Sequence, residues 1–421
     1  MAFNYYPHSQ EAEAFCKDLT KELLNKEIRK RKRRARDLEN FNKAVRLIVS
    51  DLVVYLDRDG PEWLYRSIRN DAFVDSPVKG DTFLNVIKEL EKSNYINVIK
   101  GGNLSMPFSN ASAYGPGLAS RFNASKALVE KLLQFHIGSD ATSRHFRRLP
   151  SLSEVRLKSS SARQGREKIG GKAMRILPGD KIKRIKANLK ELNMFLHEQT
   201  YDGMEFYGLR RIYNEGDRSD FHWNMGGRLY AIGESHYQRL KKERRLDIKI
   251  NQEPVVEIDI NASFLRILHG LLSYKLPDNE DIYTVDGIHR SVVKAWITAT
   301  LGHTKFHRAW PSQALDSIEK AQVNRPRSLT YKSILPQILK HYPVLSDWPN
   351  CGIRWSRLMY EESEGIIKVM RHLNKHNVPA LPVHDSLIVP SSARELTEAT
   401  FRTVFEHRFG VEFKFGVSSK V

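Results

Sequence analysis

Residues Val255-Val-Glu-Ile-Asp-Ile-Asn-Ala-Ser-Phe-Leu-Arg-Ile-Leu268 decide how this chain is read. Val255–Ile260 is an apolar, β-branched run of the kind that forms a buried strand, and from Ala262 to Leu272 the apolar residues take the spacing of a buried helix. Asp259 therefore stands where a strand end passes into a helix. A carboxylate exposed there is a natural Mg2+ ligand, and the adjacent carbonyl of Ile260 offers a further oxygen. The same position equally suits a helix N-cap.

A second segment, Val378-Pro-Ala-Leu-Pro-Val-His-Asp-Ser-Leu-Ile-Val-Pro390, has two short apolar β runs flanking His384-Asp385-Ser386. Asp385 is expected at or beside a hairpin turn, where an aspartate commonly satisfies nearby N–H groups. The pair changes the reading. Two strands that each bring one Asp to a sheet end can hold two metal ions about 3.5–4 Å apart for in-line phosphoryl displacement. Between the two segments, Arg290 and Lys294 are four apart and share one helix face, with Val292, Val293, Trp296 and Ile297 packing the other side. Two cations on one stripe suit a triphosphate, Arg binding in bidentate fashion and Lys as a point charge; the alternative is a solvated basic face.

A length of 421 residues implies two or three domains, and 41% hydrophobic residues suffice for an ordinary core. The formal charge of +19 favours a polyanionic partner. Cys16 and Cys351 make no disulfide framework and belong to no zinc spacing. The start lacks a signal-peptide core and no apolar run is long enough for a bilayer, so no membrane partner and a cytoplasmic setting are expected.

Residues 1–41 read as a basic N-terminal helix or arm, its polar helix of 10–40 ending in Arg29, Lys30, Arg31, Lys32, Arg33 and Arg34. The run is either a solvated face or a phosphate contact. Residues 42–148 give a helix through Val45, Ile48, Leu52 and Leu56, and a short helix Pro61–Arg69. A third helix, capped by Asp81, carries Phe83, Leu84, Ile87 and Leu90. A strand Tyr95–Ile99 stops at a Gly101-Gly102 turn, and a last helix spans about Ser125 to Phe135. That order resembles a winged helix-turn-helix, which would make the third helix DNA-facing. Residues 149–204 read as a basic, partly flexible linker that becomes helical near 181.

At residues 205–421 the motifs resemble those of family A DNA polymerases. Asp-Ile-Asn-Ala-Ser-Phe-Leu-Arg is similar to their motif A, Val-His-Asp-Ser to motif C, and the Arg-x-x-x-Lys helix to motif B. Gly226-Gly-Arg-Leu-Tyr-Ala-Ile-Gly-Glu-Ser-His-Tyr-Gln238 resembles the family's Gly-Arg-Leu-Ser-Ser-Ser…Asn-Leu-Gln segment. The four occur in the family's order. The resemblance implies an α+β fold: a right-hand palm with an antiparallel sheet and small helical fingers, preceded by the mostly helical winged-helix-like domain. It implies Asp259 and Asp385 as carboxylates for two Mg2+ (or Mn2+) ions. Arg290 and Lys294 would contact the triphosphate, with Lys294 a proton donor to pyrophosphate. Arg228, Gln238 and the motif C His384 would lie at the template–primer. Phe264 stands where the family selects the sugar, or else is a core aromatic. Two features depart from the pattern. Gly302 stands eight residues after Lys294, where the family has an aromatic. Ser386 and the Arg290-Ser-Val-Val-Lys294 wording look like single-subunit phage-type RNA polymerases.

The expected activity is DNA-templated DNA synthesis on a primer, from dNTPs and without an exonuclease, in a bacterial, phage or mobile-element setting. The alternatives are an RNA polymerase or primase of the same superfamily, and a winged-helix DNA-binding regulator with a silent palm.

Overall fold

The computed structural model describes residues 3, 5–29, 31–56, 63–73, 76–101, 119–138, 142–148, 154–164, 167–233, 236–323, 328–348 and 350–420. The chain divides into two units, Met1–Pro150 with Ala173–Ile176, and Ser151–Lys172 with Leu177–Val421. Both mix helices with sheets, and most strand pairs are antiparallel.

In the first unit, helix Gln10–Lys26 starts at Ser9, whose hydroxyl accepts from the Ala12 amide at 3.1 Å. It buries Phe15, Cys16, Leu19 and Leu23, so it is a core helix and not a polar arm. It also ends sooner than expected, at Lys26, and a new helix begins at Ala35 and runs to Val54. The density of cations between them disfavours a continuous helix, because like charges at steps of three and four repel. Within the basic run, Arg29 and Arg33 both pair with Glu27, and Arg33 lies 4.2 Å from the Phe41 ring centroid. Arg31, Lys32 and Arg34 are exposed, and Lys30 lies outside the described residues.

Within the short helix expected over 61–69, whose first two residues lie outside the described ones, a strand forms instead. Leu64–Arg66 pairs with Ser120–Ala124, which pairs in turn with Ile96–Ile99. Leu64 and Phe122 are buried on one face while Tyr65 and Ile99 are exposed on the other. A three-residue edge strand is fixed by a partner far along the chain, which local periodicity cannot reveal. The expected Gly101-Gly102 turn lies partly outside the described residues. Helix Gly80–Lys92 buries Phe83, Ile87 and Leu90, but its cap position is Lys79 with Asp81 in the first turn, and Leu84 is exposed. Its exposed Asp81, Lys88, Glu91 and Lys92 balance in charge, so the helix offers no basic face of the kind DNA contact needs. The last helix, expected from about Ser125 to Phe135, spans Lys126–Gln134 with Ser125 as its N-cap.

The second unit is built on a six-stranded sheet. Its axis is Glu253–Ile260, whose near-continuous burial explains the unbroken apolar run. Ser386–Pro390 lies along one edge, followed by Leu381–Val383. Phe415–Ser418 pairs along the other edge, with Lys249–Ile250 nearer the start of the strand. Helices Ser263–Leu271, Trp355–Lys375 and Arg394–Phe409 pack together against this frame. The last two approach so closely that a Cβ on Gly365 would lie 2.4 Å from the Phe405 ring. A second sheet pairs Gly226–Ala231 with Leu209–Tyr213, and Val155–Lys158 joins it in parallel. The stretch expected to be a linker therefore contributes a sheet strand at 155–158 and a hairpin, Ala162–Gln164 with Glu167–Ile169. Helix Asp180–His197 is fixed by buried Asn193, which bonds both backbone groups of Leu209 at 2.7 and 2.8 Å.

Candidate active site

Register brings the two aspartates together. Asp259 lies opposite Ser386, and the Ile260 amide donates to the Asp385 carbonyl at 3.1 Å, so the end of one strand is bonded to the turn holding the other carboxylate. On the opposite edge Asp259 faces Gly416, where a Cβ would lie 2.3 Å from Asp259 Oδ1. Only glycine leaves room for the carboxylate in its present position. The hairpin is locked from beneath by Ser386, which donates to Glu257 Oε1 and to the Val383 carbonyl, both at 2.9 Å. Glu257 in turn takes two bonds from Arg245, at 2.7 and 2.8 Å. The bidentate pair compensates a carboxylate that is almost wholly buried.

The strand leaves Asp259 through Ala262, held at φ 56° in the left-handed region, which is strained for a residue with a Cβ. Buried Arg266 fixes this turn by donating to the carbonyls of Asn261 and Glu412 at 2.9 and 2.6 Å. Asp259 precedes the turn and does not cap the helix; the cap position is Ala262. Phe264 follows in the first helical turn. It is half-buried and lines the cavity, not the core.

That cavity measures about 580 Å³ and is lined by Asp259, Asp385, Ile260, Phe264, Arg290 and Lys294, with Arg228, Tyr283 and Glu362 completing its walls. Removal from water, then the neighbouring Glu362 charge, pushes the Asp385 carboxyl up to about 7, with Asp259 adding to the effect and Arg228 opposing it. An Asp385 carboxyl raised by burial and by acidic neighbours marks a well for cations, and carboxylate oxygens suit a hard ion such as Mg2+ or Mn2+. Among the described residues no three His, Cys, Asp or Glu side chains converge as a metal cluster, and the acids lining the cavity are Asp259, Asp385 and Glu362.

Helix Arg290–Leu301 forms the facing wall. Trp296 anchors it, stacked on Tyr331 with ring centroids 4.9 Å apart and donating to the Tyr331 carbonyl at 3.0 Å. Truncating a buried aromatic of this kind costs about 3–5 kcal/mol. Arg290 is engaged, its Nε donating to Asp281, and its guanidinium lies 5.4 Å from the Tyr283 ring centroid. Lys294 Nζ lies 5.9 Å from the same ring and the residue is exposed. Gly302 ends the helix and lines the cavity.

Of the residues expected at a template–primer, Arg228 reaches the cavity but is paired with Glu362. His384 is exposed at the hairpin tip with φ 58°. Gln238 does not face outward. Its amide donates to the carbonyls of Leu229 and Pro382 and accepts from the Ala231 amide, tying its segment to the hairpin. The cations from Arg29 to Arg34 belong to the other unit.

Sequence reasoning missed Glu257, Asp281, Tyr283, Glu362 and Gly416. Glu362 had a readable signal: it occupies a helical stripe with Leu358 and Ile366, where an acid among apolar positions requires a partner. Gly416 had none, because its importance depends on a cross-strand neighbour.

No protein-family model matches the chain, and no curated protein does. Among solved structures, the POL domain of Pol1 from M. smegmatis, in complex with DNA primer-template and dNTP, is similar at 12% identity and a TM-score of 0.28. The match covers 56% of this chain and 51% of that one, so this chain spans about half the length of that structure. At those values the likeness fixes no activity and no residue role.

Proposed function

We propose that the second unit is a template-dependent DNA polymerase, adding deoxynucleoside monophosphates to a primer 3'-OH. The observation that carries this reading is the convergence of Asp259 and Asp385, from bonded elements of one antiparallel sheet, on the cavity that also holds Phe264, Arg290 and Lys294. Asp259 and Asp385 would hold two Mg2+ or Mn2+ ions, which when bound supply Lewis-acid stabilisation of charge on the reacting oxygens. Arg290 and Lys294 grip the triphosphate, and Lys294 hands a proton to the departing pyrophosphate. The Phe264 ring, which lines the cavity, would exclude a ribose 2'-hydroxyl. Positioning and charge compensation account for most of the rate enhancement.

In the first unit the order helix, strand, short turn, helix, antiparallel strand pair supports a winged-helix fold, but the charge-balanced helix Gly80–Lys92 is not its DNA-contacting element. A second catalytic reading, an RNA polymerase or primase, is favoured by Ser386 and by the Arg290-Ser-Val-Val-Lys294 wording.

The test is single-nucleotide addition to a labelled primer on a DNA template, with dNTPs or rNTPs supplied separately. Addition of dNTPs alone supports the proposal. Addition of rNTPs alone moves the chain to the RNA-polymerase reading. Neither, with duplex binding retained, leaves a DNA-binding regulator.

A further inference from the structure

Glu362 stands apart from the aspartates in what it touches. Its side chain is 1% exposed, and both oxygens are occupied. Oε1 accepts from Arg228 Nε and Nη2 at 2.9 and 2.5 Å, and Oε2 accepts from the Ser263 hydroxyl at 2.7 Å. So held, the carboxylate is a poor candidate for ligation. It does fix Arg228, whose guanidinium lies 5.4 Å from the Phe264 ring centroid. A planar guanidinium braced against an aromatic face restrains the ring, and bonds on two of its nitrogens restrain the guanidinium. Arg228 alone would place a positive charge on the wall that Asp259 and Asp385 share. Glu362 cancels that charge.

We propose that Glu362 is a positioning residue with two effects: it holds Arg228 against Phe264, and it keeps the cavity favourable to cations by neutralising Arg228. The first effect rests on the polymerase reading, since it is read out as sugar selection; the second does not.

The experiment compares wild type, Glu362→Gln, and the double variant Arg228→Gln with Glu362→Gln. Mn2+ binding is measured by calorimetry, and dNTP-over-rNTP selectivity by single-nucleotide incorporation. One uncompensated charge within about 10 Å, at an effective dielectric of about 20, should weaken Mn2+ binding in Glu362→Gln by roughly tenfold or more. The double variant removes both charges, so its Mn2+ affinity should return to within about twofold of wild type, while its selectivity stays lower by about fivefold, the size of one lost ring–cation contact. It also leaves no buried charge without a partner, so it remains informative where the single variant fails to fold. Wild-type Mn2+ affinity in Glu362→Gln, or wild-type selectivity in the double variant, overturns the corresponding half of the proposal. Should wild type incorporate no nucleotide, the polymerase reading falls and sugar selection with it, and the Mn2+ comparison alone upholds or overturns the charge effect.

Discussion

Replacing Gly416 with alanine moves one carboxylate and little else. The new Cβ would lie 2.3 Å from Asp259 Oδ1, 3.3 Å from its Cγ and 3.6 Å from Oδ2. Carbon and oxygen settle near 3.4–3.5 Å, so the carboxylate must yield by about 1 Å. The backbone at Gly416 is outside the left-handed region, so alanine adds no backbone strain. The obstacle is the far end of a side chain, which can rotate away, and the fold should survive with an unchanged or slightly raised Tm. A misplacement of about 1 Å at a reacting centre costs on the order of 100-fold in rate. The assay is single-turnover nucleotide addition on a primed template, paired with thermal melting of the same preparation. Gly365→Ala is the control: its Cβ would strike the Phe405 ring in the core, costing about 1–3 kcal/mol of stability without touching the site. Wild-type rate in Gly416→Ala, with both variants folded, would refute the claim that Asp259 must sit where it does.

Three further outcomes are expected. Asp281→Asn frees Arg290 from a half-exposed ion pair, so KM for the nucleotide should fall, by up to about fivefold; a rise would mean that Asp281 orients Arg290 productively. Glu257→Gln leaves Arg245 buried without its carboxylate and should cost about 3–5 kcal/mol in urea unfolding. Burial works to raise the Glu22 carboxyl, but bonds from Lys26, Tyr95 and Lys131 hold it down to about 2, from an ordinary value of 4.5. A lowered acid stabilises the fold above its unfolded pKa and loses that contribution as pH falls, so stability should decline between pH 4.5 and about 2, and Glu22→Gln should flatten that decline.

What the sequence disclosed followed from local chemistry. The apolar run before Asp259, the split β runs around His384-Asp385 and the stripe of Val292, Val293, Trp296 and Ile297 each carry their periodicity within a dozen residues. Their structural placement follows that pattern. Pairings across long separations were not legible. Leu64–Arg66 became a strand because Ser120–Ala124 pairs with it, and Val155–Lys158 left the supposed linker because Leu209–Tyr213 offered an edge. The site shows the same division. Asp259, Asp385 and Phe264 could be chosen from their own segments, whereas Gly416 and Glu362 acquire their roles from residues more than 90 positions away in the chain. Gln238 illustrates the opposite error: a residue type suited to nucleic acid, spent instead on backbone groups of the sheet.

The central claim is that Asp259 and Asp385 jointly carry the chemistry. Primer extension on a DNA template with Mg2+ and dNTPs, comparing wild type with Asp385→Asn at matched duplex affinity, tests it most directly. Extension is expected from wild type, with a loss on the order of 100- to 1,000-fold in the variant, the scale on which removing one preorganised electrostatic group acts. Extension by Asp385→Asn at the wild-type rate would contradict it.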